Sequence, residues 1–243
     1  MNITGIITEY NPFHNGHLYH LREAKKNTNA DAIICVMSGN FVQRGGPAII
    51  DKWKRTEMAL NNGVDLIIEL PTYYAVSSAE FFAKGSVSIL HNLGIVNNLF
   101  FGSECGDVDK LTALSKILVN EDTQLKSLIK EHLAKGDTFA KAREKSLIQY
   151  LKDEEINKII TSSNNILGIE YIKSILRLNS TITPSTLKRE GSNYNDKNLS
   201  NSFSSATAIR ELLKNKNSLE NLKNLIPKES YEIFSKLQDE NYP

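Results

Sequence analysis

The hydrophobic and polar positions of the N-terminal part of the chain switch period in a regular way. Ile3–Thr8 is a short β-branched run, and Asn11-Pro12 turns the chain before helical spacing from about Gly16 to Lys26. Ala32–Met37 (AIICVM) is nearly all apolar, the pattern of a strand covered on both faces. A Gly-rich loop, Ser38–Pro47, leads to a helix beginning near Asp51 that stops at Asn62-Gly63. Leu66–Leu70 reads as a third strand closed by Pro71, and Ser78–Asn92 as a helix ended by Gly94. Val96–Phe101 is the fourth strand, running into Gly102-Ser103-Glu104. Alternation of this kind predicts an α/β, Rossmann-like parallel sheet with right-handed crossovers. Ligands of such sheets sit beyond the carboxyl ends of the strands, where strand order reverses. The loops after the first and fourth strands are therefore where chemistry is expected.

From Asp107 to about Leu151 the pattern turns helical and more polar, so residues 108–160 read as an α-helical insertion. Asn165–Leu178 is an amphipathic helix, and Ser180–Leu187, alternating Thr and Ile, is a fifth strand. Gly191–Asn201 is a polar loop, after which a helix opens at Ser204 or Ser205. The expected organisation is a catalytic unit over 1–215 followed by the start of a helical region over 216–243.

Composition narrows the class. The 243 residues are 40% hydrophobic and 23% charged, which excludes a disordered chain, and a net charge of +1 argues against a strongly electrostatic nucleic-acid binder. No apolar run approaches the roughly 18 residues that span a bilayer, and no signal peptide is visible, so a cytoplasmic protein without membrane partners is expected. Two cysteines, Cys35 and Cys105, make no disulfide framework; Cys35, inside an apolar strand, reads as core. The mildly basic stretch Lys126–Lys145 reads as a solvated helix face.

The strongest chemical feature is Gly5–His17, GIITEYNPFHNGH: a strand, a tight loop, then His-x-Gly-His at a helix start. A helix N-terminus offers free N–H groups and about half a positive charge, which suits phosphate. His14 and His17, three positions apart, share one face of the first turn, and each can donate to a phosphate oxygen while Gly16 admits close approach. Metal binding by His14, His17 and His20 is an alternative, though no further His or Cys cluster completes such a site. The second feature is Ser204-Ser205-Ala206-Thr207-Ala208-Ile209-Arg210, hydroxyl residues capping a helix with Arg210 one turn in, where a guanidinium can hold β- and γ-phosphate. Each is commonplace alone; together on a parallel sheet they suit nucleotidyl transfer, in which an acceptor attacks the α-phosphate of a nucleoside triphosphate.

This pairing resembles the HxGH and ISSTxIR signatures of the nucleotidyltransferase superfamily, and so implies that superfamily's five-stranded fold. The blocks GIITEYNPFHNGHLYHL, MSGNFVQRGGPAIIDKWKRTEMAL, VDLIIELP, FGSE, SNNILGIEY and SSATAIR narrow it: the chain is similar to the bacterial tRNA(Met) cytidine acetate ligase family from Ile3 to about Arg210. That resemblance implies an enzyme that makes acetyl-adenylate from acetate and ATP, with Mg²⁺ expected to accompany the nucleotide. It then acetylates N4 of the wobble cytidine of elongator tRNA(Met). By matched position, His14 and His17 would be catalytic. ATP would be wrapped by Ile7, Thr8, Glu9, Tyr10, Asn11, Pro12, Phe13, Asn15, Gly16, Leu18, Tyr19 and His20. Gly102, Asn164 or Asn165, Arg189, Thr207 and Arg210 would complete the nucleotide set. Two departures are visible: Ala206 stands where the signature has a second Ser, and Glu190 where the family usually has an apolar residue.

Other residues are less pointed. Gln43 and Arg44, on the loop after the second strand, are placed to reach acetate or the tRNA, or simply lie exposed. Asp51, Lys52 and Arg55 read as helix capping and a solvated face, Glu104 as the cap of the helix that follows it. Trp53 and Tyr73-Tyr74 read as packing groups. The motifs also fit a small-molecule adenylyltransferase of the pantetheine-phosphate or nicotinamide-mononucleotide type, or an inactive ATP- or RNA-binding module. Family members are generally longer, so the chain reads as truncated or naturally short, with ATP binding kept and tRNA affinity weak.

Overall fold

The computed structural model describes residues 1–189, 205–214 and 219–239. Glu190, the Gly191–Asn201 loop and Ser204 lie outside the described residues. The strands are β1 (Ile3–Thr8), β2 (Ala32–Ser38), β3 (Leu66–Leu70), β4 (Asn98–Ser103) and β5 (Thr183–Lys188). They form a parallel sheet in the order β3-β2-β1-β4-β5, so the direction of winding reverses between β1 and β4. The five-stranded α/β expectation holds, with the fourth strand starting two residues later than the apolar run.

Alternate residues of each central strand feed opposite cores. Ile34 and Val36 of β2 and Leu99 and Phe101 of β4 point to one side, Ile33, Cys35, Met37 and Phe100 to the other. The first core is closed by α3 (Thr72–Ala75), α4 (Ala79–Asn92), α5 (Val108–Val119) and α9 (Ser163–Arg177). Three further helices, α6 (Thr123–Ala134), α7 (Phe139–Leu151) and α8 (Glu154–Thr161), extend it through Leu125, Leu147 and Ile159. The second core is closed by α1 (Asn15–Thr28), α2 (Lys52–Asn61), α10 (Ala206–Lys214) and α11 (Lys228–Asp239). Residues beyond 215 share this core through Leu222, Ile226, Ile233 and Phe234. Among the described residues no helix is long and apolar enough to cross a membrane.

Two close approaches set the depth of the site. At Gly168 in α9, an added Cβ would stand 2.6 Å from the ring of Phe101 in β4, so Gly lets the helix lie directly on the sheet. At Gly85 in α4 it would stand 2.4 Å from Tyr74, which seats α3 on α4.

Three expectations are corrected. Arg55 is wholly buried rather than on a solvated face. Its Nη1 donates to the carbonyls of Glu9 (2.6 Å) and Ser38 (3.1 Å), Nε to that of Ile50 (3.3 Å) and Nη2 to that of Gly39. Trp53 and Tyr73 are exposed, 72% and 69%, rather than packed, because α2 and α3 turn those positions away from the core. Glu104 caps α9, not the helix that follows it; Asp107 caps α5, accepting from Asp109 and Lys110 N–H.

Candidate active site

A cleft of about 430 Å³ opens at the carboxyl ends of the strands, at the β1/β4 reversal. Its floor is Ile7 and Thr8 of β1 with Phe101 and Gly102 of β4; α1 and α10 point their N-termini into it, and α9 forms the opposite wall.

The loop from β1 to α1 is tightly specified. Tyr10 adopts left-handed backbone (φ 44°), a conformation unfavourable for a non-Gly residue, and its buried ring packs edge-on to Phe13 at 4.7 Å and His17 at 4.9 Å. Asn11 Oδ1 accepts from Ile49 N–H (2.8 Å), and the Asn11 carbonyl accepts from Arg210 Nη1 (2.8 Å). The two sequence motifs therefore touch directly.

The His-x-Gly-His segment is itself the cap of α1. His14 Nδ1 accepts from Gly16 N–H at 3.0 Å, and His17 Nδ1 accepts from His14 N–H at 3.3 Å, a capping box built from imidazoles. The rings stack with centroids 3.7 Å apart. An Nδ1 that accepts leaves the proton on Nε2, so both rings are neutral Nε2–H donors. The electrostatics agree. Burial pushes His14 down to about 3, with Arg189 and Arg210 adding to it. His17 is lowered well below the usual imidazole value, by burial first and then by His14, His20 and Arg189. His20, lowered to about 4 by burial and Arg189, has a buried Nε2 with no protein partner.

At α10, Ser205 Oγ accepts from Ala208 N–H (3.1 Å), while Arg210 Nη2 donates to Thr207 Oγ1 (3.0 Å). Ala206 lines the cleft, so the departure from the signature costs a hydroxyl there and not the helix start. At the far side, Arg189 N–H donates to the Ser103 carbonyl (2.9 Å), carrying its side chain over Gly102, where a Cβ would stand 3.3 Å from Arg189 Cγ. Glu104 accepts from the Asn164 and Asn165 N–H groups in the first turn of α9 and from Asn164 Nδ2 (2.7 Å), which fixes Asn164 at the cleft wall.

Most of the sequence-derived set converges: Ile7, Thr8, Glu9, Tyr10, Asn11, His14, Gly16, His17, Tyr19 and His20 line the cleft, as do Gly102, Asn164, Arg189, Thr207 and Arg210. Five residues do not. Pro12 and Phe13 are buried beneath the loop, and Leu18 packs into the second core. Asn15 faces the C-terminal segment, its side chain donating to the Asn224 carbonyl. Asn165 is buried and accepts from Cys105 N–H (3.1 Å), which leaves Asn164 as the cleft residue of the pair. Gln43 and Arg44 line the cleft. So do Phe82, Leu167 and Tyr171, which sequence reasoning passed over; their apolar helical spacing is that of ordinary core positions. Tyr171 is raised above the usual phenol value by burial and by Glu9. Cys35 is buried core as expected.

The family described as HIGH nucleotidyl transferase matches residues 1–243. The tRNA(Met) cytidine acetate ligase of Clostridium novyi (strain NT) is 54% identical over 99% of this chain and 61% of its own length. That of Clostridium perfringens is 54% identical over 96% and 60%. Thermotoga maritima TmcAL, crystallised with alpha-thio ATP, superposes with a TM-score of 0.91 at 42% identity, over 99% of this chain and 56% of that one. The chain thus spans about three fifths of the length of these relatives.

Proposed function

The chain belongs to the HIGH nucleotidyl transferase family, and from that premise we propose that its cleft binds ATP and transfers the adenylyl group to acetate. The acetyl-adenylate then acetylates N4 of the wobble cytidine of elongator tRNA(Met). The relatives' names, all tRNA(Met) cytidine acetate ligase, and the ATP analogue held by the Thermotoga protein support this reading. The catalytic unit we assign is 1–215, with 108–160 inserted and a further region over 216–243, of which Leu222, Ile226, Ile233 and Phe234 pack into its second core.

One observation carries the proposal: two buried, neutral imidazoles cap a helix N-terminus in a cleft that a second helix N-terminus and Arg210 also line. Neutral donors stabilise charge as it develops on phosphorus without holding the triphosphate ground state as a fixed cation would. His14 and His17 would donate to α- and β-phosphate oxygens, and Thr207 and Arg210 would hold the departing pyrophosphate. A carboxylate oxygen of acetate attacks α-phosphorus, the bond to the bridging oxygen breaks, and pyrophosphate leaves with the electron pair. N4 of cytidine next attacks the acetyl carbon, losing a proton as AMP departs. The buried, unpartnered His20 Nε2 fits a ligand polar group in the same cleft. Mg²⁺, if it accompanies ATP, would be held chiefly by the triphosphate and would neutralise charge on it; among the described residues no cluster of three or more His, Cys, Asp or Glu could hold a metal ion by itself.

The test is incubation with ATP, labelled acetate and total tRNA, followed by nucleoside analysis. N4-acetylcytidine is the expected product; adenylylation of a phosphorylated small acceptor without acetate would point to the other reaction class.

A further inference from the structure

We propose that Arg44 binds the carboxylate of the acyl donor, presented by a loop that Arg55 holds in shape. The proposal rests on the adenylating reading of the same cleft.

The loop between β2 and α2 is not slack. Val42 and Gly46 close a hairpin (Val42 N–H to the Gly46 carbonyl, 3.0 Å), with Gly45 at φ 77° and its N–H on the Val42 carbonyl at 2.8 Å. Glu9 Oε1 accepts from Gln43 N–H (2.9 Å), and Asn11 Oδ1 from Ile49 N–H (2.8 Å), so the hairpin is stitched to the β1–α1 loop at two points. Arg55 grips both its ends, at the Ser38, Gly39 and Ile50 carbonyls, together with the Glu9 carbonyl. A hairpin so fixed sets Gln43 and Arg44 on the cleft wall.

The cations of the cleft come from separate elements. Lys188 and Arg189 reach it from the end of β5, across β1 from the β2 loop that carries Arg44, and Arg210 reaches it from α10. An acetate ion and a triphosphate repel, and the repulsion grows as water leaves the site, so each requires its own counter-charge. In-line displacement sets the attacking oxygen opposite the departing pyrophosphate. With pyrophosphate held at Thr207 and Arg210, the acetate carboxylate needs a cation outside that pair, and Arg44, on the separate β2–α2 loop, offers a planar guanidinium that matches a carboxylate. The step needs no proton transfer: the oxygen lone pair forms the bond to phosphorus, and pyrophosphate carries the other pair away.

The test is ATP–pyrophosphate exchange by the full chain with acetate varied, for wild type, Arg44→Gln and Arg44→Lys. Arg44 is exposed on a loop, so folding is not at stake. Losing a charge-assisted carboxylate contact raises the KM for acetate roughly ten- to a hundredfold in Arg44→Gln, less in Arg44→Lys, with the KM for ATP held within about twofold. An unchanged acetate KM, or a parallel rise in both KM values, overturns the assignment to Arg44 while leaving adenylation intact. Absence of acetate-dependent exchange in the wild type overturns the adenylating reading itself, and Arg44's role with it.

Discussion

Arg55→Met tests the internal logic of the site most severely. The guanidinium is fully buried and donates to carbonyls of Glu9, Ser38, Gly39 and Ile50, joining the loop after β1, the loop after β2 and the start of α2. Nearby Glu9, Asp51 and Glu69 offset part of its desolvation, which nonetheless lowers it to about 10, so it is a cation throughout the working range. Methionine fills similar volume but offers no donor. Charge-assisted hydrogen bonds contribute about 1.5–3 kcal/mol each, and removing the cation relieves the desolvation of a buried charge. The net loss expected is about 3–5 kcal/mol. For a chain of this size that is a fall in Tm of about 10 °C. Thermal and urea unfolding followed by circular dichroism measure it, with Arg55→Lys intermediate because one ammonium cannot serve four diverging carbonyls. A loss under about 1 kcal/mol, within the range of an ordinary surface substitution, would refute the claim that Arg55 ties these loops together.

His17→Ala should lower ATP–pyrophosphate exchange about 100- to 1,000-fold, the usual effect of removing one transition-state donor, while the circular dichroism spectrum stays native. Buried neutral histidines also predict acid sensitivity: His14 at about 3 and His20 at about 4 bind fewer protons folded than unfolded. Their contribution is complete above the unfolded value of about 6.5 and is lost as pH falls from there toward their folded values, with a slope of up to about 1.4 kcal/mol per pH unit for each. Urea midpoints of the ligand-free protein measured from pH 7.5 to 4.5 read this directly; a flat profile would count against it. Gly168→Ala forces Cβ to within 2.6 Å of Phe101 and should destabilise by about 1–3 kcal/mol, with a raised KM for ATP as α9 and Asn164 shift. Glu104→Gln weakens the cap of α9 by about 1 kcal/mol and should raise the KM for ATP without moving that for acetate.

What the sequence made legible were features whose cause is local. The strands could be read because alternate residues enter opposite cores, and the His-x-Gly-His turn because all its capping partners lie within three residues. Arg55 was misread because its acceptors are backbone carbonyls, as distant as Glu9, and a carbonyl has no residue signature. Glu104 was misassigned for a similar reason: the Asn164 N–H it caps lies 60 residues further on. Phe13, Asn15 and Leu18 sit between cleft residues in sequence but face the core or the C-terminal segment, since matching a contiguous motif does not resolve which face of a helix looks into the site. Leu167 and Tyr171 were invisible for the opposite reason, because a cleft wall and a core share one apolar period.

The central claim is that this cleft adenylates acetate. The most direct measurement is pyrophosphate release from ATP with acetate, phosphopantetheine or nicotinamide mononucleotide offered separately, with the nucleotide product identified by mass. Release and acetyl-adenylate are expected only with acetate; release with either phosphorylated acceptor and none with acetate would contradict adenylation of acetate by this cleft.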